Sequence, residues 1–236
     1  GMDRGRLYAV WRRVLGLSWP VMVEQTVRTA MRTTDIIVTG LFSPAAIAAI
    51  GLADLYSRFP LRIGLGLGGG AIALSSQDTG AGAQANRDEA VTQAIGLGLV
   101  TGIPFVLFGL TFGYEALAIL GANDTVASLG GTYLAIIFAT APARQVSLIA
   151  ARSLQGTGDT RTPMYVNVVS NGLNIVGSVV LGLGLLGVPR YEIVGVGAAT
   201  AFSNVFTALV LCAVMFAGRT SAGFAMPTNP VIARQL

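Results

Sequence analysis

Long runs of apolar residues, separated by short polar segments, dominate the chain. Six such runs occur, at about 14–40, 46–77, 88–112, 128–153, 162–185 and 192–217. A helix that crosses a bilayer needs roughly 20 apolar residues, and each run reaches that length. The pattern predicts an all-α integral membrane protein, with a six-helix transmembrane bundle over residues 14–217. We expect a tail at 1–13 and a polar linker or tail at 218–236.

The composition supports lipid as the main solvent of this chain. Hydrophobic residues make up 53% of the sequence and charged residues only 11%. A soluble domain carries roughly 25% charged residues, so too few charges remain here to cover a water-facing surface. The 31 glycines fit the same interpretation, because small residues let membrane helices approach closely.

Missing residue types argue against catalysis and metal binding. The sequence has no histidine and a single cysteine, Cys212. Zinc, haem and Ser-His-Asp or Cys-His chemistry therefore lack their usual ligands and bases. We expect no catalytic residues, no metal site and no organic cofactor. The basic residues are not gathered on one soluble face, so the expected partners are the lipid bilayer and a small molecule rather than nucleic acid.

The positions of the arginines predict an orientation. Positive residues favour the cytoplasmic side of a membrane protein. With the N-terminal tail inside, most arginines of the tails and loops fall near the inner surface: Arg4, Arg6, Arg12, Arg13, Arg87, Arg152, Arg161, Arg219 and Arg234. Only Arg190 falls in an outer loop. We expect a multi-pass protein of the cell membrane with both termini in the cytoplasm.

Charged residues inside the first two spans are the most informative feature. The first span carries a stripe at helical spacing: Glu24, Arg28, Arg32 and Asp35. The second span carries another: Asp54, Arg58 and Arg62. An arginine at mid-membrane costs roughly 2.5–3.5 kcal/mol on insertion scales, so these side chains are expected to face each other, backbone carbonyls or a wet cavity rather than lipid.

Two interpretations of these charges stay open. If the two spans form an antiparallel hairpin about residues 44–45, three pairs share a depth: Asp35 with Asp54, Arg32 with Arg58, and Arg28 with Arg62. The charges would then form a salt-bridge ladder that holds the hairpin. Alternatively, they line a polar cavity in which Asp35 binds and releases a cation and the arginines tune its pKa.

Four segments, in order, resemble the MATE (multidrug and toxic compound extrusion) transporters. The first begins SWPVMVEQ and includes Pro20, Asp35, Gly40 and the alanine-rich stretch after Pro44. It is followed by GLGLGGGAIALSSQDTGAGAQANRDEA, by LQGTGDTRTPMYVNVVSNGLNIV and by GVGAATAFSNV. The resemblance covers roughly residues 15–217 and matches one lobe, the N-terminal one, of such a transporter.

The resemblance implies an antiporter with two six-helix lobes that rock about a central cavity, driven by protons or sodium. Asp35, Asn174 and Thr200 match three positions of an ion-coupling site in that family. Ser178 stands where some members have a second acid, so a site with one carboxylate is expected to take at most one proton or to bind sodium more weakly. Hydrogen bonding between helices is the alternative role for Asn174 and Thr200.

The leading functional prediction is cation-coupled export of hydrophobic or cationic compounds, with proton or sodium as the coupling ion. Because the chain carries one lobe, it requires a second, either a missing C-terminal half or a second copy; we favour truncation over a dimerising half-transporter or a fragment of an assembly. A flippase for lipid-linked, phosphate-bearing substrates and a non-transporting membrane scaffold are the alternatives. Intramembrane catalysis is disfavoured, since no nucleophile–base pair is evident.

Overall fold

The computed structural model describes residues 3–80 and 84–218, without the side chains of 71–80 and 84–87. Helices account for nearly all of this part, and it contains no strand. The helices are α1 Arg4–Gly40, α2 Pro44–Gly80, α3 Gln84–Ala118, α4 Asp124–Ala139, α5 Ala141–Gly156, α6 Arg161–Leu183 and α7 Ile193–Phe216. The all-α fold class is confirmed. The linker or tail expected after residue 218 lies outside the described residues.

The first helix is longer than the first apolar run. It begins at Arg4, within the segment expected to be a tail, and contains 37 residues. At 1.5 Å per residue it measures about 55 Å, well beyond a hydrocarbon core of about 30 Å. Hydropathy detects the part of a helix that lies in lipid. The first turns of α1, with four arginines at Arg4, Arg6, Arg12 and Arg13, extend past that part.

The fourth predicted span consists of two helices. α4 and α5 meet at Thr140 and are bent by 51° relative to each other. Thr140 has non-helical dihedrals (φ −107°, ψ 16°), and Pro142 occupies the first turn of α5. A proline lacks the backbone N–H that would continue the helical ladder and restricts the residue before it, so the break falls where the sequence has Pro142.

Length and hydropathy alone select only part of the described bundle as membrane-spanning. α3, α6 and α7 are long and apolar enough, and the bent pair α4–α5 makes a fourth span if it is counted as one. α1 and α2 do not qualify because charged residues interrupt their apolar stretches. The six-span bundle therefore includes two helices whose charges must be sheltered from lipid.

The helix packing separates α1 from α2. α1 lies mainly against α6, whereas α2 packs against α3, α4 and α5, and α7 joins α6 to α4 and α5. Glycines allow the closest crossings: a Cβ atom added to Gly113 of α3 would lie 2.6 Å from the carbonyl oxygen of Gly131 in α4. The predicted α1–α2 hairpin, with its charges paired level by level, is wrong in this respect, because the two helices diverge after the turn at residues 41–43.

Candidate functional site

A large cavity occupies the space left between the diverging helices. Its volume is about 660 Å³, and residues of α1, α2, α4, α5, α6 and α7 line it. Eight charged residues face it: Glu24, Arg28, Arg32, Asp35, Asp54, Arg58, Arg144 and Arg152. Five arginines against three carboxylates give the wall a formal charge of +2. The six charged residues of α1 and α2 in this wall thus face a polar space rather than lipid, as the cost of burying them requires.

One side of the cavity carries small polar groups around a single acid. Asp35 of α1, Asn174 and Ser178 of α6, and Thr200 of α7 form this polar cluster. The Ser178 hydroxyl donates to Oδ1 of Asn174 at 3.1 Å, and the Asn174 amide donates to Oγ1 of Thr200 at 3.5 Å. Ser178 also lies within interaction range of the Asp35 carboxylate. The structure therefore brings the four residues of the sequence-based coupling site together; their part in coupling stays a prediction.

The Asp35 carboxylate has an unused acceptor. Its Oδ1 atom is buried and accepts no hydrogen bond from any described residue. Oε2 of Glu24, about three turns away on α1, is likewise buried without a donor, although Oε1 of Glu24 pairs with Nη2 of Arg28 at 3.5 Å. A buried acceptor without a donor costs roughly 1–3 kcal/mol, so both atoms are places where a proton or a cation would be stabilised.

The other side carries the arginine cluster, which we define as Arg28, Arg32, Arg58, Arg144 and Arg152. Asp54 lies in electrostatic range of three of its members: Arg32, Arg58 and Arg144. Within residues 3–80 and 84–218, none of these three guanidinium groups comes within 4.0 Å of a carboxylate oxygen. The salt-bridge ladder expected between α1 and α2 is therefore reduced to the pair Glu24–Arg28 inside one helix.

Arg62 does not belong to either side. It is exposed and does not line the cavity, so the prediction that it shares the charged interior with Asp54 and Arg58 is wrong. Each step of four residues turns an α-helix by about 400°, so two such steps carry a side chain about 80° away from the starting face. Leu61 and Leu65 of α2, which lie closer to the face of Asp54, line the cavity instead.

Sequence reasoning missed the contribution of α5. Arg144 and Arg152, two turns apart on α5, both line the cavity. Arg144 lies inside the predicted span 128–153, and the rule that singled out Arg28 and Arg32 would have found it. The sequence assigns Arg152 to the inner surface, where it indicates the orientation of the chain, and not to a cavity. No comparable signal marks the hydroxyl network of Ser170, Ser203 and Thr207, because single serines and threonines are common in apolar helices.

That network ties α6 to α7 in the wall of the cavity. The hydroxyls of Ser170 and Ser203 lie 2.6 Å apart, and the Thr207 hydroxyl donates to Oγ of Ser170 at 2.6 Å. All three residues are buried. The network connects α6, which carries Asn174, to α7, which carries Thr200, and so holds these two side chains of the polar cluster in position.

Comparison with known proteins identifies the family. The MatE family model matches residues 20–180, more than half of the chain. The chain belongs to the MatE family. Members of this family are transporters, so the resemblance noted in the sequence is confirmed.

Individual relatives agree with this assignment. A probable multidrug resistance protein NorM from Rhodopseudomonas palustris is 33% identical over 218 residues, which cover 88% of this chain and 45% of that protein. A probable multidrug resistance protein YoeA from Bacillus subtilis is 27% identical, over 86% of this chain and 44% of that protein. This MatE chain thus spans about half the length of the curated relatives it matches.

Solved structures show the same fold. A MOP superfamily transporter from Pyrococcus furiosus superposes with a TM-score of 0.86 at 24% identity, covering 94% of this chain and 49% of that one. An outward-facing multidrug resistance MATE family transporter gives a TM-score of 0.84 at 24% identity, with the same coverage. The helices of this MatE chain are therefore arranged as in one half of such a transporter.

Proposed function

We propose that this chain forms one lobe of a cation-coupled antiporter that exports hydrophobic compounds across the cell membrane. It acts with a second six-helix lobe, either a C-terminal half of the same protein or a second copy, and has both termini in the cytoplasm. The cavity lies on the face that the second lobe would close. The chain performs no catalysis of its own in this proposal.

The coupling proposal rests on the buried carboxylate of Asp35. Its buried Oδ1 acceptor has no donor in the described part of the chain. Ser178 lies beside the carboxylate, and Asn174 and Thr200, which line the same cavity, are linked to Ser178 by hydrogen bonds. A proton on Asp35 or a sodium ion among these oxygens would satisfy that acceptor. Binding of the ion also removes or screens a negative charge in the cavity wall, so that the two facing states of the transporter bind cargo with different affinity.

The charge of the wall narrows the cargo class expected from the resemblance. With five arginines and three carboxylates, the cavity of this lobe repels an organic cation. A cationic substrate would therefore need acidic groups supplied by the second lobe. Hydrophobic compounds without a positive charge fit this lobe as it stands.

Substitution of Asp35 tests the coupling proposal. We expect Asp35→Asn in the full-length protein to abolish resistance of cells to toxic hydrophobic compounds while leaving the amount of protein in the membrane unchanged. Asp3→Asn, an exposed acid ahead of α1, is the matched control and should retain resistance. Ion-driven efflux that is unchanged in Asp35→Asn would overturn the assignment.

Two other functions make different predictions. A flippase for lipid-linked, phosphate-bearing substrates would use the same arginine-lined cavity, and it would move a labelled lipid between the leaflets of a vesicle. A non-transporting scaffold would use the charges only to hold helices together. Its thermal stability would then be insensitive to sodium and to pH near neutrality.

A further inference from the structure

We propose that the arginine cluster is a binding site for the anionic group of the cargo, a phosphate or sulfonate carried on an apolar body. This inference rests on the proposed function, because it takes the cavity as the place where cargo binds. It assigns the two sides of the cavity different tasks: the polar cluster around Asp35 takes the coupling ion, and the arginine cluster takes the cargo's negative group.

The arginines converge on one space from three helices. Arg28 and Arg32 come from α1, Arg58 from α2, and Arg144 and Arg152 from α5. Arg144 lies in electrostatic range of Arg28 and Arg32, which repel it, and of Asp54, which attracts it. Like charges that a fold holds together inside a membrane mark a functional site, where a bound anion would relieve their repulsion.

The carboxylates of the lobe do not neutralise this cluster. Glu24 is paired with Arg28. Asp54 is shared by the three guanidinium groups of Arg32, Arg58 and Arg144. Asp35, the third acid, lies beside Ser178 and in electrostatic range of Asp54, and among the described residues it forms no ion pair with an arginine. One carboxylate for three arginines leaves a surplus of positive charge where the cargo would lie.

The same three arginines have free donors. A guanidinium group carries five N–H donors, and the side chains of Arg32, Arg58 and Arg144 donate no hydrogen bond to any residue that the structure describes. Planar guanidinium groups bind phosphate-type oxygens through paired, charge-assisted hydrogen bonds. The cluster therefore offers the right donors as well as the right charge.

The neighbouring surface defines the rest of the ligand. Apolar side chains line the cavity beside the arginines, among them Ile50, Leu61 and Phe138. The volume of about 660 Å³ lies within the range of pockets that hold drug-sized molecules, about 300–1,000 Å³. An aromatic or aliphatic body with one anionic group matches both parts of this surface.

A pair of small probes with opposite charge tests the proposal. 1-Naphthyl phosphate and 1-naphthylmethylammonium share the naphthalene ring, and their binding to the full-length protein in phosphatidylcholine nanodiscs is measured by titration calorimetry. We expect the phosphate to bind more tightly than the ammonium and its affinity to fall as salt is raised. Tighter binding of the ammonium would overturn the proposal.

Matched arginine variants locate the binding. Arg144→Gln should weaken 1-naphthyl phosphate binding about ten-fold or more, since a hydrogen bond to a charged group contributes about that factor. Arg62→Gln, which lies outside the cavity, should change the affinity less than about two-fold. Arg144→Lys keeps the charge and should bind better than Arg144→Gln, which separates loss of charge from a folding defect. Equal losses in Arg144→Gln and Arg62→Gln, or no loss in either, would contradict the site.

The source of the anionic group is resolved by changing the lipid. If phosphatidylglycerol nanodiscs reduce binding of the probe and Arg144→Gln removes that competition, a lipid head group occupies the cluster. If the lipid has no effect, the ligand is a free organic anion. Loss of resistance in Asp35→Asn reports on the coupling proposal, whereas loss of probe binding in Arg144→Gln reports on the anion site, so a failure of one proposal is distinguished from a failure of the other.

Discussion

The polar cluster and the arginine cluster of the cavity differ in how their buried polar groups are accommodated. The polar cluster uses one acid and three uncharged side chains that bond to one another across α6 and α7. The arginine cluster gathers charges of one sign and leaves their donors largely unused. In the polar cluster the Oδ1 atom of Asp35 lacks a donor among the described residues, so this side offers a place for one ion. The like charges of the arginine cluster repel each other and would be stabilised by a bound anion. The contrast suggests that ion and cargo are bound on separate sides of one cavity.

Reversal of one charge in the arginine cluster should have the largest effect. Arg144→Glu brings the formal charge of the cavity wall from +2 to zero and places a carboxylate where an anionic group would bind. We expect the affinity for 1-naphthyl phosphate to fall by more than about 100-fold, because an attractive contact is replaced by a repulsive one. Arg62→Glu outside the cavity is the control. Comparable affinities in the two variants would mean that the two sides do not differ in the way described.

A second acid in the polar cluster should change the number of coupling ions. Ser178 is fully buried and bonds to Asn174, one turn earlier on α6. Ser178→Asp places two carboxylates in the cluster, and we expect the number of coupling protons per cargo molecule to rise from one to two. The ratio is read from the reversal potential of transport in proteoliposomes. Ser178→Ala should leave the count at one; an unchanged count in Ser178→Asp would place the ion site elsewhere.

The hydroxyl network between α6 and α7 should affect stability more than transport. Thr207→Val removes a donor to Ser170, and we expect a loss of about 1 kcal/mol in the free energy of unfolding. Thr29→Val is a suitable control, because the Thr29 hydroxyl is exposed and bonds only within its own helix, to the carbonyl of Gln25. The two variants are compared by thermal unfolding in detergent. Equal stability would show that the network does not hold α6 to α7.

Much of the fold follows from hydropathy, because apolar length controls which segments enter lipid. The runs at 162–185 and 192–217 match α6 and α7 closely. The break at Thr140 could not be placed from hydropathy or from Pro142 alone. A proline can also lie inside a continuous helix, as Pro20 does in α1 and Pro60 in α2. The packing partner of α1 was likewise hidden. It depends on which surfaces of α6 and α2 fit α1, and spacing along one helix carries no such information.

The candidate site was only half visible in the sequence. Spacing placed Glu24, Arg28, Arg32 and Asp35 on one face, and the structure puts that face on the cavity. The position of Arg144 inside a span marks it in the same way, but spacing could not show that Arg152 of α5 faces the same cavity. It also could not show that α1 and α2 stand apart and form no ion pair with each other. The net positive charge of the cavity depends on that third helix, α5, because the lining charges of α1 and α2 alone cancel. The proposed cargo therefore carries no positive charge, in contrast to the cationic compounds expected from the resemblance.

Asp35 is proposed to hold the coupling ion. Displacement of that ion by cargo is the most direct test of this role. Full-length protein in a weakly buffered solution, with or without sodium, is mixed with saturating cargo, and the released protons or sodium ions are counted with an indicator dye. We expect about one ion to be released per protein molecule, because the polar cluster has one carboxylate. We expect no release from Asp35→Asn. The same release from Asp35→Asn as from the unchanged protein would contradict it.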